Sequence, residues 1–268
     1  MLENPRSPRV RAVAKLTKRS ARQETGLYLL EGPQAVREAL SYVPESVIEL
    51  FATPTAVERH PDLKAAARAA GVEIDFASEA VLDAMADTVT PQGVIAVARQ
   101  TPTSVKDIFS GSPQLIAICE EVRDPGNLGT IIRAADAAGA DGVVLTGRTV
   151  DLYNPKVVRA TTGSLFHLPV SVGGELDQIV DRARAAGMRV IAADVKGEDL
   201  LAARADGMLA EPTAWLFGNE ARGLDDESLA LADRALRLPI FGRAESLNLA
   251  TAASVCLYET AFAQRQRP

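Results

Sequence analysis

Between Gln114 and Ile240 short apolar runs alternate with stretches of helix length, and that alternation limits the fold more than any other feature of the chain. QLIAIC, DGVVLTG, LPVSV, MRVIAADV, AWLFG and LRLPI read as strands. LGTIIRAADAAG, the segment opened by Asn154 as cap with Pro155 behind it, and ELDQIVDRARAAG read as helices, and a long helix starts at Asn248. Strands this uniformly apolar need cover on both faces, which predicts a parallel sheet between helix layers.

A smaller α/β unit precedes it. LYLLEG, VIELFAT, VEIDFA and GVIAVARQ are strand-like. PQAVREALSY carries proline at its first helical position, PDLKAAARAAG is stopped by Gly71, and SEAVLDAMAD is capped by Ser78. TPTSVKDIFSGSP mixes turn formers with polar residues and reads as a linker. The expected organisation is an α/β chain with a small domain over 1–100, a linker over 101–112 and a second domain over 113–268. With 268 residues, 47% of them hydrophobic, both units can bury a core.

No apolar run reaches the length of a membrane span, and the basic N-terminal segment has no apolar block behind it, so a cytoplasmic protein is expected. Cys119 and Cys256 lie in apolar stretches far apart and read as buried free thiols. With His60 and His167 they make no metal-ligand spacing, and no metal is expected. The net charge of −6 hides an asymmetry: Arg6, Arg9, Arg11, Lys15, Lys18, Arg19 and Arg22 face only Glu3 in the first segment. On charge alone this is either an arm that holds phosphates or a solvated, frayed terminus.

In parallel sheets ligands sit beyond the carboxyl ends of the strands. Three glycine-rich clusters fall there: EEVRDPGNLGTIIRAADAAGADGVVL, LFGNEARGL and LPIFGRAESLNLATAA. G-x-G-x-x-G is absent after the early strands, as are the P-loop pattern and G-x-S-x-G, which speaks against a nucleotide-dependent oxidoreductase, the P-loop enzymes and a serine hydrolase. His167 could in principle meet Ser246 in space, but inside SLFHLPV it reads first as a satisfied buried or interface histidine.

At the three clusters the chain resembles the SpoU (TrmH) branch of the SPOUT RNA methyltransferases. DPGNLGTIIRAADAAGADGVVL is similar to the first motif, with Asn127 and Arg133 at its polar positions. LFGNEARGL is similar to the second, with Gly218 and Glu220, and LPIFGRAESLNLATAASVCLYE to the third, with Ser246 and Asn248. NPKVVRATTGSLFHLPV matches a further stretch of the family, and GLYLLEGPQAVREAL with TPQGVIAVA resembles its ribosomal-protein-like substrate-binding domain. The resemblance implies a C-terminal parallel-sheet domain with a trefoil knot and S-adenosylmethionine as methyl donor. It also implies ribosomal or transfer RNA as substrate and a homodimer that completes the site. The general rarity of knots would argue against that topology, which rests on the resemblance alone.

The residues carry physical expectations of their own. Gly218 permits close backbone approach, and Leu238, Ile240 and Leu247 offer main-chain and apolar contacts to the donor, or are plain core. Asn248 is either a helix cap or a site residue, and Asn127 is expected to cap its helix. Glu220 is expected to orient Asn127 or the loops around the donor. Arg133, on a mostly apolar helix face, needs an anion, and RNA is the obvious one. It either takes the ribose proton or stabilises the developing charge, although a guanidinium resists deprotonation. Arg159 is the next candidate for the RNA backbone. The alternative is a non-catalytic RNA-binding protein of the same fold.

Overall fold

Ser7 and Pro8 open the first helix, α1 (Pro8–Lys15): the Ser7 hydroxyl accepts a hydrogen bond from the Val10 amide. Val10, Val13 and Leu16 are buried in a core with Leu29, Phe51, Val81, Leu82 and Ile95. The basic segment is therefore folded rather than loose. A second helix, α2 (Arg19–Thr25), ends at Gly26 in the left-handed conformation. Arg22 on it is 2% exposed. Its guanidinium donates to the carbonyls of Leu16 and Thr17 at 2.8 and 2.9 Å and to Asp151 Oδ2 at 2.5 and 2.9 Å, so the corner between the helices is built on a buried, paired cation.

The computed structural model describes residues 1–265. It forms two compact units, one of Met1–Thr101 with Asp151–His167, the other of Pro102–Val150 with Leu168 onward. The first continues through β1 (Leu27–Glu31), α3 (Pro33–Tyr42), β2 (Val47–Ala52), α4 (Pro54–Arg59), α5 (Pro61–Ala70), β3 (Ile74–Phe76), α6 (Glu79–Met85) and β4 (Val94–Arg99). Its sheet runs β1-β4-β2-β3, and β4 is antiparallel to both neighbours. The sheet of this unit is thus mixed: β4 is apolar because it is central, and central strands of either sense read alike. Ser78 stands at the N-cap of α6 without a capping bond, and its hydroxyl is buried with no hydrogen-bond partner among the described residues.

The second unit begins with α7 (Val105–Ile108), inside the stretch expected as linker; Ile108 and Phe109 are buried in this unit's core. It continues with β5 (Leu115–Glu120), α8 (Pro125–Ala138) and β6 (Gly142–Thr146). The chain then enters the first unit for α9 (Pro155–Thr161), capped by Asn154 as expected. Back in the second unit come β7 (Val170–Val172), α10 (Leu176–Ala185), β8 (Arg189–Asp199), α11 (Leu200–Ala205), β9 (Thr213–Phe217), α12 (Asp226–Ala230), β10 (Arg234–Arg237) and α13 (Leu249–Arg265).

Its six strands lie in the order β10-β8-β9-β5-β6-β7, and every pair is parallel. From β5 the chain builds outward through β6 and β7, then resumes on the other side of β5. The order therefore reverses between β5 and β9, where a crevice for ligand is expected at the strand ends. At the opposite edge the pairing of β10 jumps from Ala192 to Glu198 on β8, and a Cβ on Gly197 would fall 2.5 Å from the Ala235 backbone. Only glycine lets the two strands come that close.

Candidate active site

Beyond the end of β5, Glu121 takes a left-handed backbone (φ 50°), uncommon for a residue with a side chain. Its carboxylate accepts from Arg123 Nη2 at 2.9 Å and from Arg222. Burial works against its charge, but the bond from Arg123 and the fields of Arg222, Arg123 and Arg148 hold the carboxyl below the usual range. Its neighbour Glu120 is shifted the other way: burial raises it, against the opposing bond from Ser228 Oγ at 2.9 Å.

The turn after β9 locks onto this loop. Asn219 and Gly223 exchange backbone hydrogen bonds, and the Asn219 side chain accepts from Ala221 N while donating to Glu121 O at 2.9 Å. Glu220 accepts from the amides of Arg123 and Asp124, the latter at 2.9 Å. It orients the loop through the backbone, not through Asn127. Gly218 also serves the turn itself. A Cβ there would lie 2.5 Å from the Gly223 carbonyl carbon, so glycine is demanded by the turn's own closure.

Asp124, not Asn127, caps α8: its Oδ1 accepts from the Asn127 amide at 2.7 Å. The Asn127 side chain is thereby free to reach across, and its Oδ1 accepts from Asn248 Nδ2 at 2.9 Å. Asn248 also accepts from Ala250 N and Thr251 N, so it caps α13 and joins the site at once. Arg133 lies on the exposed stripe of α8 with Gly126, Thr130 and Ala137, and not among the buried residues of that helix. It has no ion pair among the described residues.

Between β10 and α13, residues 238–247 make no backbone–backbone hydrogen bond among the described residues. Ile240, Phe241, Glu245, Ser246 and Leu247 are exposed there, and Leu238 is half-buried just past the strand it was expected to end. The structure thus brings Glu220, Asn127 and Asn248 into one hydrogen-bonded system. Arg159 belongs to the other unit, where Glu31 and Asp87 each accept from it at 2.9 Å. His167 is satisfied by Glu38 at 3.1 Å and rests against Tyr42. Cys119 and Cys256 are buried free thiols, and burial pushes Cys119 up to about 12. Among the described residues no group of three or more His, Cys, Asp or Glu could hold a metal ion.

Residues 114–258, with all three loops, match the SpoU rRNA methylase family. The chain belongs to that family. Residues 29–103 match the module described as RNA 2′-O ribose methyltransferase substrate binding. Among relatives of this SpoU chain, the 23S rRNA (guanosine(2553)-2′-O)-methyltransferase RlmP of Bacillus subtilis is 33% identical, covering 96% of this chain and 97% of the relative. The 23S rRNA (uridine(2479)-2′-O)-methyltransferase of Streptomyces viridochromogenes is 36% identical over 73% of this chain and 68% of its own length. Among solved structures, the AdoMet-bound rRNA methyltransferase from Sinorhizobium meliloti superposes with a TM-score of 0.81 at 32% identity, covering 97% of this chain and 96% of that one.

The sequence reading missed Asn219 and Glu121. Asn219 sits inside LFGNEARGL, between an apolar strand and a second glycine, where an asparagine that ties a turn is the physical expectation. Glu121 gave no such signal, because its role depends on an unusual backbone angle.

Proposed function

We propose that the loops after β5 and β9, with residues 238–248, hold S-adenosylmethionine, and that the chain methylates a ribose 2′-hydroxyl of ribosomal or transfer RNA. The observation that carries this reading is the hydrogen-bonded line from Glu220 through the Arg123–Asp124 backbone to Asn127 and Asn248. It joins all three family motifs. A non-catalytic RNA-binding relative would have no use for a ten-residue stretch of bare backbone at that point.

S-adenosylmethionine supplies an electrophilic methyl group on a sulfonium centre. The free N–H and C=O groups of 238–247 suit the edge of its adenine, and Leu238, Ile240 and Leu247 give apolar cover. Ser246 offers a hydroxyl on the same loop. Gly218 and Glu220 fix the facing loop. Arg133, a cation with no ion pair among the described residues, meets the RNA and stabilises negative charge growing on the ribose oxygen rather than taking the proton. Arg159, already held by two carboxylates, anchors the 151–167 segment instead of the RNA backbone.

Residues 1–100 capture the RNA and 113–268 carry the reaction, in the cytoplasm, with the third loop threaded as a trefoil knot. The working form is a homodimer. Gly126, Thr130 and Ala137 on α8 leave a smooth exposed strip, and Val255, Tyr258 and Phe262 line up at helical spacing on the exposed face of α13. Arg133→Ala should bind S-adenosylmethionine within about twofold of wild type while methyl transfer to rRNA falls by roughly 100-fold or more. Equal loss of donor binding, or retained transfer, would overturn the assignment of Arg133.

A further inference from the structure

We propose that α1 and α2 form a preorganised, basic RNA-docking surface, an addition to the substrate-binding module that engages phosphates of the RNA backbone. This rests on the methyltransferase reading for the identity of the polyanion. Residues 1–22 hold seven basic side chains against one acid, and the remaining residues hold 22 against 34. A polyanion approaching this chain is repelled by most of the molecule and attracted here. Both helices precede the matched substrate-binding module, which begins at residue 29.

The fold sorts these cations into two sets. Arg9 is tied to Glu49 and Asp75 and lies 4.8 Å over the Phe51 ring, and Arg22 is buried at the corner. Arg6, Arg11, Lys15, Lys18 and Arg19 are exposed and form no side-chain hydrogen bond or ion pair among the described residues. Val10 and Val13 turn one face of α1 inward, and Arg11 and Lys15, one turn apart, occupy the opposite face. Their placement opposes helix stability. Like charges at i and i+4 repel, and neither helix has an acid in its first turn, where the backbone favours one. Lys18 stands at the N-cap of α2 without a capping bond, and Glu24 is the one acid on either helix. Lys15 gains from its place in the last turn of α1, but the repulsion from Arg11 and the uncapped, acid-free start of α2 remain, and a phosphate backbone would offset both. Because the corner is held by Arg22, the cations are presented without the ordering penalty of a flexible tail.

The test uses the full chain and deproteinised 23S rRNA, with affinity measured as a function of salt. In the variant Lys15→Gln/Lys18→Gln/Arg19→Gln, the log–log salt slope should flatten by about 2, since each phosphate neutralised by a cation contributes roughly 0.7–0.9 to it. Affinity at low salt should fall by about tenfold or more, with S-adenosylmethionine binding and melting temperature unchanged. A control, Lys106→Gln/Arg182→Gln/Lys196→Gln, removes three exposed cations from α7, α10 and β8, outside the substrate-binding module, and should leave the slope near wild type. If the two variants change the slope equally, or the first does not change it, the proposal falls. Should the first variant melt earlier, Lys18→Gln/Arg19→Gln alone carries the same comparison with an expected slope change of about 1.5. Loss of binding to phosphatidylglycerol vesicles with an unchanged RNA slope would assign the surface to lipid and overturn the proposal. A wild-type chain that neither binds S-adenosylmethionine nor methylates rRNA would instead refute the methyltransferase reading.

Discussion

Single residues in this site act by holding backbone, and their substitutions should be read that way. Gly218→Ala places a Cβ against the Gly223–Leu224 backbone, so the turn must open. Chemical denaturation should show a loss of about 1–3 kcal/mol, with weaker donor binding as a consequence. Glu120 is a case of charge. Burial raises its carboxyl, so the folded state binds that proton more tightly than the unfolded chain does. Its contribution to stability is then full at acid pH and declines as pH rises through the raised value. Glu120→Gln can still accept from Ser228, so it should raise the melting temperature by roughly 1–2 °C at pH 7 and leave it unchanged near pH 3.5. A rise of equal size at both pH values would show that charge is not the cause.

At the scale of elements, the α1–α2 corner depends on one buried ion pair. Arg22→Leu strands Asp151 and opens two carbonyls, and should cost about 3–5 kcal/mol in urea unfolding. Arg22→Leu with Asp151→Leu should cost less than Arg22→Leu alone, since no charge is left unpaired. What the sequence made legible follows from the same physics. Apolar runs located β5, β6, β8 and β9, because central parallel strands announce themselves by burial on both faces. Val10, Val13 and Leu16 were just as telling, but the basic residues between them masked a three-residue apolar face. The sense of β4 was not readable, since direction leaves no mark on a central strand. In the site, the motif positions of Glu220, Asn127 and Asn248 were visible as residue types. Which of Asp124 and Asn127 caps α8 was not: both are good caps three positions apart, and the choice is made by Pro125 at the first helical position.

For the molecule as a whole, the decisive question is whether one active site draws on two chains. If Arg133 serves the partner's donor loop, mixing Arg133→Ala with Asn248→Ala puts both lesions into one composite site of the heterodimer and leaves the other intact. Random pairing should then restore about a quarter of wild-type methyl transfer, with half the dimers mixed and one good site in each. Heterodimers without recovered activity would confine each site to its own chain. The same architecture leaves residues 238–247 with N–H groups that no backbone carbonyl holds among the described residues. Such amides trade hydrogen for deuterium at nearly the rate of an unfolded peptide, while those of β5 and β9 beneath wait for global opening. Donor occupancy is therefore written in the isotope content of one short peptide. Titrating S-adenosylmethionine should slow its exchange and no other segment's to the same degree, giving a clock of binding that needs neither RNA nor turnover.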